Sequence, residues 1–388
     1  MITKVVYLAY IKISSKFIED FYINELEKQN IEIEYWDLSC IFFKNNQSKN
    51  QSNNNVFYVK SFDELNKLFY KINIKNTLVI STITYNFESI YLHYLLNQYH
   101  FRIAFFARGA IPSIKYDNKH ALKKLLKFNL YPKYLLKLVK NKISFFLKKY
   151  NITRTFDIVY YAGRHSFANI GIGYKIDLIK AKLFKLNYFD LDKTLEIKES
   201  TRLLKNKYCL FHDEYLPHHP DFDILKAKTV ESKKYYFDLN KFFDEVKQKL
   251  GLEVVISAHP KAESYKNFNP FNGRKIFFGK TAELCKYSEF SLIHVSSSVS
   301  FAVIYKKPII FLTSEQIINE MFSYNKWINS FANELGYKAL NINKYNLLKK
   351  PNINKEFYES YKYNYLTSDD TKYKLSFNVF FDSFDTVL

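Results

Sequence analysis

Glycine and proline are scarce in this chain, at eight each in 388 residues, and methionine occurs twice. So little glycine and proline excludes a collagen-like or low-complexity chain. The three cysteines, Cys40, Cys209 and Cys285, are too few and too far apart for a disulfide framework, and are expected as buried free thiols in a reducing compartment. A G-x-G-x-x-G turn is missing after the first β-α-β pattern, which removes the sign of a nicotinamide or flavin cofactor. No window reaches the roughly 18 uncharged apolar residues of a membrane span, and no signal-peptide cleavage site follows the N-terminal run. A cytoplasmic protein is expected, peripheral at the inner face of a membrane if attached at all.

What the chain does hold is apolar and basic. Hydrophobic residues make up 47% and charged residues 25%, the balance of a globular protein. Lys and Arg number 58 against 38 Asp and Glu, a formal charge of +20. Such an excess favours polyanionic surroundings. Neither zinc-ligand spacing nor an RNA-binding aromatic-glycine signature accompanies it, so of nucleic acid, acidic lipid headgroups and phosphorylated substrates the membrane surface is the preferred reading, and nucleic acid is not expected. The 33 Tyr and 37 Phe, beside abundant Lys, Asn and Ile, read partly as coding bias.

Short apolar runs alternate with helical patterns along the whole length. Strands are expected at 3–10, in IEIEYWDL, at 77–82, 102–107 and 157–162. The run Ala181–Asp192 reads as the end of a first domain over 1–192. The low-complexity loop 44–55 is given no role. A linker over 193–206 leads to a second domain over 207–315, with strands at 208–211, 254–258, 276–278, 291–295 and 308–312. Residues 316–388 read as a C-terminal helical segment. Strand–helix alternation of this kind predicts parallel sheets with ligands at the strands' carboxyl ends. The fold class is α/β, with two Rossmann-like domains.

Several polar clusters stand at those expected ends. In the first domain Arg108 and Gly109 follow a strand, and Glu88 stands near the start of a helix. The stretch 119–154, rich in Lys, Leu and Phe, has Leu122, Leu125 and Leu126, then Leu135, Leu136 and Val139, on helical faces. It reads as a surface for anionic membrane or as a helix packed on its own domain. In the second domain, His212-Asp213-Glu214 is followed by His218 and His219. This set could supply metal ligands, although its spacing matches no standard signature, and no metal is expected. His259-Pro260-Lys261, Lys280-Thr281, and His294 with Ser296-Ser297-Ser298 follow the next strands. Serines before a helix suit an anion, and the His-Pro step holds an imidazole at a strand end, where it can hydrogen-bond a phosphate or, protonated, stabilise a leaving one.

The His-Pro of one strand end, with a later Ser-Ser before a helix and a Lys-Pro, resembles the donor half of GT-B glycosyltransferases. The nearest are bacterial sialyltransferases and Kdo transferases; CDP-glycerol-type polymerases of teichoic acid synthesis carry a similar arrangement. The resemblance covers roughly 208–313 well and the first domain in outline. It implies two domains with a cleft between them, and CMP of a sugar donor held by His259, Ser297 and Ser298. It implies no bound cofactor, a nucleotide-sugar donor, and a glycan or lipid-linked acceptor in surface-polysaccharide assembly. A polyol-phosphate transferase and a UDP-sugar transferase are the alternatives, and a basic scaffold for anionic polymer is the non-enzymatic one. Those sialyltransferases carry an acidic pair followed by Gly, usually in the first half. Here Asp213-Glu214-Tyr215 lies in the second half without the Gly. The general base is therefore sought at Asp213 or Glu214, with Glu88 in reserve.

Overall fold

The computed structural model describes residues 1–43, 55–113, 132–168, 172–197, 202–225 and 227–386. Leu122, Leu125 and Leu126 of the basic stretch, and the loop 44–54, lie outside them. The chain divides into two compact units.

The first unit is built on a seven-stranded sheet. Its strands are β1 (Lys4–Ala9), β2 (Glu32–Asp37), β3 (Val56–Tyr58), β4 (Thr77–Ser81), β5 (Arg102–Ala107), β6 (Ile158–Tyr161) and β7 (Lys182–Lys185), in the order β3-β2-β1-β4-β5-β6-β7. All neighbours are parallel. Both faces of such a sheet are covered, which is why its central strands read as unbroken apolar runs. Alternation along β1 sends Val5, Tyr7 and Ala9 into one core, and Val6 and Leu8 into the other.

The second unit carries β8 (Tyr208–His212), β9 (Glu253–Ala258), β10 (Ile276–Phe278), β11 (Ser291–Ile293), β12 (Ile309–Thr313) and β13 (Leu340–Asn341). Their order is β10-β9-β8-β11-β12-β13, again all parallel. Numbered from the first strand of each unit, both sheets begin 3-2-1-4-5-6, the Rossmann order. The fold is therefore two Rossmann-like α/β units in one chain.

The boundaries differ from the sequence expectation. Residues 111–113 already belong to the second unit, and the chain returns to it at Tyr188, before the expected linker, where the helix Phe189–Glu196 packs: Ser300 Oγ donates to Asp190. The C-terminal segment is split. Residues 188–367 belong to the second unit and 368–388 to the first. The last helix, Ser376–Thr386, puts Phe380 and Phe384 into a core of the first sheet, where Tyr160 and Ser383 share a hydrogen bond of 2.7 Å. Strands β3 and β13, of three and two residues, are not among the strands expected from the sequence.

Candidate active site

In the second unit the strand order reverses between β8 and β11: the chain leaves β8 toward β9 and returns from the edge strand β10 to the far side of β8. The crevice outside the carboxyl ends of these two strands is where open α/β sheets bind ligands. His212 closes β8, with Asp213 and Glu214 next along the chain. Past β11 come His294, Val295 and the three serines.

Hydrogen bonds stitch the strand ends together. Glu214 Oε1 accepts from the Val295 N–H at 2.6 Å, and Oε2 shares a hydrogen bond with the Tyr324 hydroxyl. That use of the Val295 N–H ends β11 at Ile293, two residues short of the expected run. The buried His212 places Nδ1 2.8 Å from Ser298 Oγ and Nε2 3.0 Å from Ser291 Oγ. Burial pushes its pKa down to about 3, so it is a neutral strut.

Asp213 is the exception. It is 5% exposed, and Oδ2 accepts a long bond of 3.4 Å from the His259 N–H at the end of β9. Its Oδ1 is buried without a hydrogen-bond partner. Buried polar atoms are almost always satisfied, and an orphaned carboxylate oxygen at a strand-end crevice is a candidate for chemistry. Burial pushes the Asp213 carboxyl up to about 6, against the pull of nearby amides at Tyr215 and His259 and the Tyr265 hydroxyl. Burial pushes Glu214 further, to about 8. At neutral pH the adjacent carboxyls thus differ: Asp213 is mostly ionised and Glu214 mostly protonated. Such separation assigns different tasks to two neighbouring acids.

Tyr215 follows them at φ 54, in the left-handed region that glycine enters most easily. The backbone therefore takes a glycine-like turn directly after the acidic pair, with a tyrosine in that place. The Tyr215 hydroxyl pairs with Ser264 Oγ at 2.9 Å.

His259 is half-buried, its ring edge-on to His219 at 4.8 Å between centroids. Nδ1 accepts from the Lys261 N–H at 3.2 Å, which leaves the neutral ring's proton on Nε2. Burial first, then the charges of His219 and Lys261, push its pKa down to about 4. The protonated role expected from the sequence does not hold at neutral pH in the unliganded protein; a neutral Nε2–H donor does. Pro260 beside it is exposed. The exposed Lys261 is ion-paired with Asp221 at 3.0 Å.

The serines divide by task. Ser296 Oγ and Ser298 Oγ bond each other at 2.9 Å. Ser297 is exposed, and its hydroxyl makes no hydrogen bond among the described residues. The helix that follows, Val299–Ile304, is only six residues long.

Other expected site residues lie elsewhere or are committed to structure. His294 is fully buried, with Nδ1 donating to the Leu312 carbonyl at 2.8 Å and Nε2 3.1 Å from the Tyr235 hydroxyl, so it is a core histidine and not a donor ligand. Lys280 follows the edge strand β10 and pairs with Glu283 at 3.0 Å, while Thr281 Oγ1 lies 2.6 Å from Ser257 Oγ. In the first unit Arg108 is buried: Nε donates to the Asn187 carbonyl at 2.7 Å and Nη1 to the Tyr22 hydroxyl. That guanidinium is spent on contacts inside the first unit. Gly109 is exposed with open space around its missing Cβ, so no close approach demands it. Glu88 is exposed on the 3-10 turn Phe87–Ser89 and pairs with Lys140 at 3.4 Å. His218 donates to or accepts from Ser232 Oγ at 3.0 Å. It lines a 690 Å³ recess along the helix Ser232–Leu250 that none of Asp213, His259 or the serines lines. Among the described residues, no three His, Cys, Asp or Glu side chains gather as metal ligands.

Tyr324 was missed by sequence reasoning. It comes from the helix Phe322–Glu334, 110 residues after Glu214, and tyrosines are too common here for one to stand out.

The chain matches no protein-family model and no curated protein sequence. Solved structures similar to it include a UDP-GlcNAc 2-epimerase from Methanocaldococcus jannaschii in complex with UDP-GlcNAc and UDP. That one is 16% identical over 92% of this chain and 98% of its own, with a TM-score of 0.41. A putative UDP-N-acetylglucosamine 2-epimerase from Listeria monocytogenes is 12% identical over 98% and 94%, with a TM-score of 0.44. A glycosyltransferase from Rickettsia africae is 11% identical over 100% and 98%, with a TM-score of 0.43. The fold assignment rests on the strand orders of the two sheets themselves.

Proposed function

We propose that this chain is a nucleotide-sugar-dependent glycosyltransferase, with its donor site at the β8–β11 reversal of the second unit and Asp213 as general base. The observation that carries the reading is the orphaned Oδ1 of Asp213 where three strand ends meet. Glu214, with both oxygens engaged and a proton at neutral pH, is a positioning residue.

In the transfer step the acceptor hydroxyl oxygen bonds to the anomeric carbon of the donor sugar. The bond from that carbon to the phosphate oxygen breaks, and its electron pair leaves on the nucleotide. Asp213 Oδ1 takes the hydroxyl proton as the new bond forms. The Nε2–H of His259 and the hydroxyl of Ser297 are the uncommitted donors for the departing phosphate. A CMP leaving group bears a single phosphate, which fixed donors of this kind can hold without a metal ion.

The finer reading is a CMP-linked donor of an acidic sugar, supported by the His-Pro and Ser-Ser resemblance. A thermal-shift panel of CMP, CDP, UDP and GDP tests it. CMP alone should raise the melting temperature, and His259→Ala and Ser297→Ala should remove the shift. Stabilisation by UDP alone would overturn the CMP donor, and by none of the four would overturn the nucleotide site.

A further inference from the structure

The helix Pro132–Lys149 in the first unit turns its apolar stripe outward. Leu136, Val139, Ile143, Phe146 and Tyr150, the last just past the helix end, recur at spacings of three and four, which align them on one face. All five are between 41% and 66% exposed. A helix packed on its own domain hides such a stripe. Here the inward side is fixed by polar contacts. The Ser144 carbonyl accepts from the buried Tyr85 hydroxyl at 2.6 Å. The fully buried Lys148 ammonium pairs with Asp177 at 2.6 Å and lies 4.0 Å from the centre of the Tyr85 ring. With Ser144 and Lys148 anchored, the helix cannot roll to bury its apolar face.

We propose that this face is an interfacial anchor that lies in the surface of an anionic lipid bilayer. Charge selects that occupant. The helix holds six lysines and no acid. Lys142 and Lys149 are exposed, border one edge of the stripe by helical spacing, and make no ion pair among the described residues. A second copy of the chain would set one lysine-only helix against another, with like charges opposed across the seam. An anionic leaflet supplies the missing countercharge, and lysine stems can lie along the acyl boundary with their ammonium groups among the headgroups. At 18 residues the helix is roughly 27 Å long. No described helix is long and apolar enough to cross a membrane, so the contact is parallel to the surface. The inference stands whether or not the glycosyltransferase reading does.

The test is flotation of the full chain with two vesicle preparations: phosphatidylcholine alone, and two parts phosphatidylcholine to one part phosphatidylglycerol. The protein should float with the anionic vesicles only and be released by high salt. Ile143→Ser with Phe146→Ser should weaken binding about tenfold or more through loss of apolar burial. Lys142→Glu with Lys149→Glu should do the same, since each lysine near such a surface contributes about fivefold. All four side chains are exposed, so melting temperatures should stay at the parent value and exclude misfolding as the cause. Equal binding to both vesicles, or undiminished binding of the serine variant, would overturn the anchor. So would failure to float, together with a dimer that the serine variant dissolves, which would mark the stripe as a contact between copies.

Discussion

A carboxylate kept for proton transfer and held out of water should weaken the protein that carries it, and Asp213→Asn measures that. The Asp213 pKa of about 6 lies above the ordinary 3.8, so the folded chain holds this proton more tightly than the unfolded one. The contribution of this group to stability is then fully present below about pH 4 and is lost as pH rises through 6. The shift corresponds to about 3 kcal/mol lost by pH 7. Asparagine removes the charge at constant size. It leaves a buried amide N–H₂ in place of the orphaned Oδ1, which costs about 1 kcal/mol. The net expectation is a gain of about 2 kcal/mol at pH 7, which raises the melting temperature by several degrees for a unit of this size. Below pH 4 the gain should disappear, leaving the variant level with the parent or slightly weaker. Transfer should fall by roughly a hundredfold or more, the usual share of a general base, while nucleotide binding persists. Thermal melts from pH 4 to 8, with an assay of nucleotide release, read both quantities. A variant less stable than the parent at pH 7, or one that keeps full transfer, would refute the assignment.

Three further outcomes follow from the same geometry. Ser297→Ala should weaken nucleotide binding and leave unfolding by urea unchanged, whereas Ser298→Ala, which strips buried His212 of a partner, should lower stability by about 1–3 kcal/mol; identical behaviour of the two would contradict the division drawn between the serines. With His259 held near pKa 4 by burial, a phosphate at Nε2 should raise that value, so nucleotide affinity should tighten as pH falls from 7 toward 5. Calorimetry in two buffers of different ionisation heat should show proton uptake, and none would remove His259 from the phosphate. Lys148→Met should cost about 3–5 kcal/mol by leaving buried Asp177 unpaired, with part recovered in the double variant Lys148→Met/Asp177→Leu; chemical denaturation that shows no recovery would mean the loss is one of packing.

Much of this molecule was legible along the chain. Runs such as KVVYLA and TLVIS announce strands buried on both faces, because in a parallel sheet neither face meets water and local composition suffices. The strand-end positions of Asp213, His259 and Ser297 were legible for the same reason. What each residue does there was not. Arg108 and His294 looked as available as His259, and only the packed structure shows their polar atoms turned inward on Asn187, Tyr22, Leu312 and Tyr235. Asp213 and Glu214 are indistinguishable as neighbours in a sequence. They part because Val295 and Tyr324, 81 and 110 residues away, satisfy one and leave an oxygen of the other bare. The sequence by itself determined most of the strands, their parallel pairing and the strand ends where polar residues gather. Tertiary structure alone decided which of those groups are spent on one another and which remain free, because burial and hydrogen-bond partnership arise between segments distant in the chain.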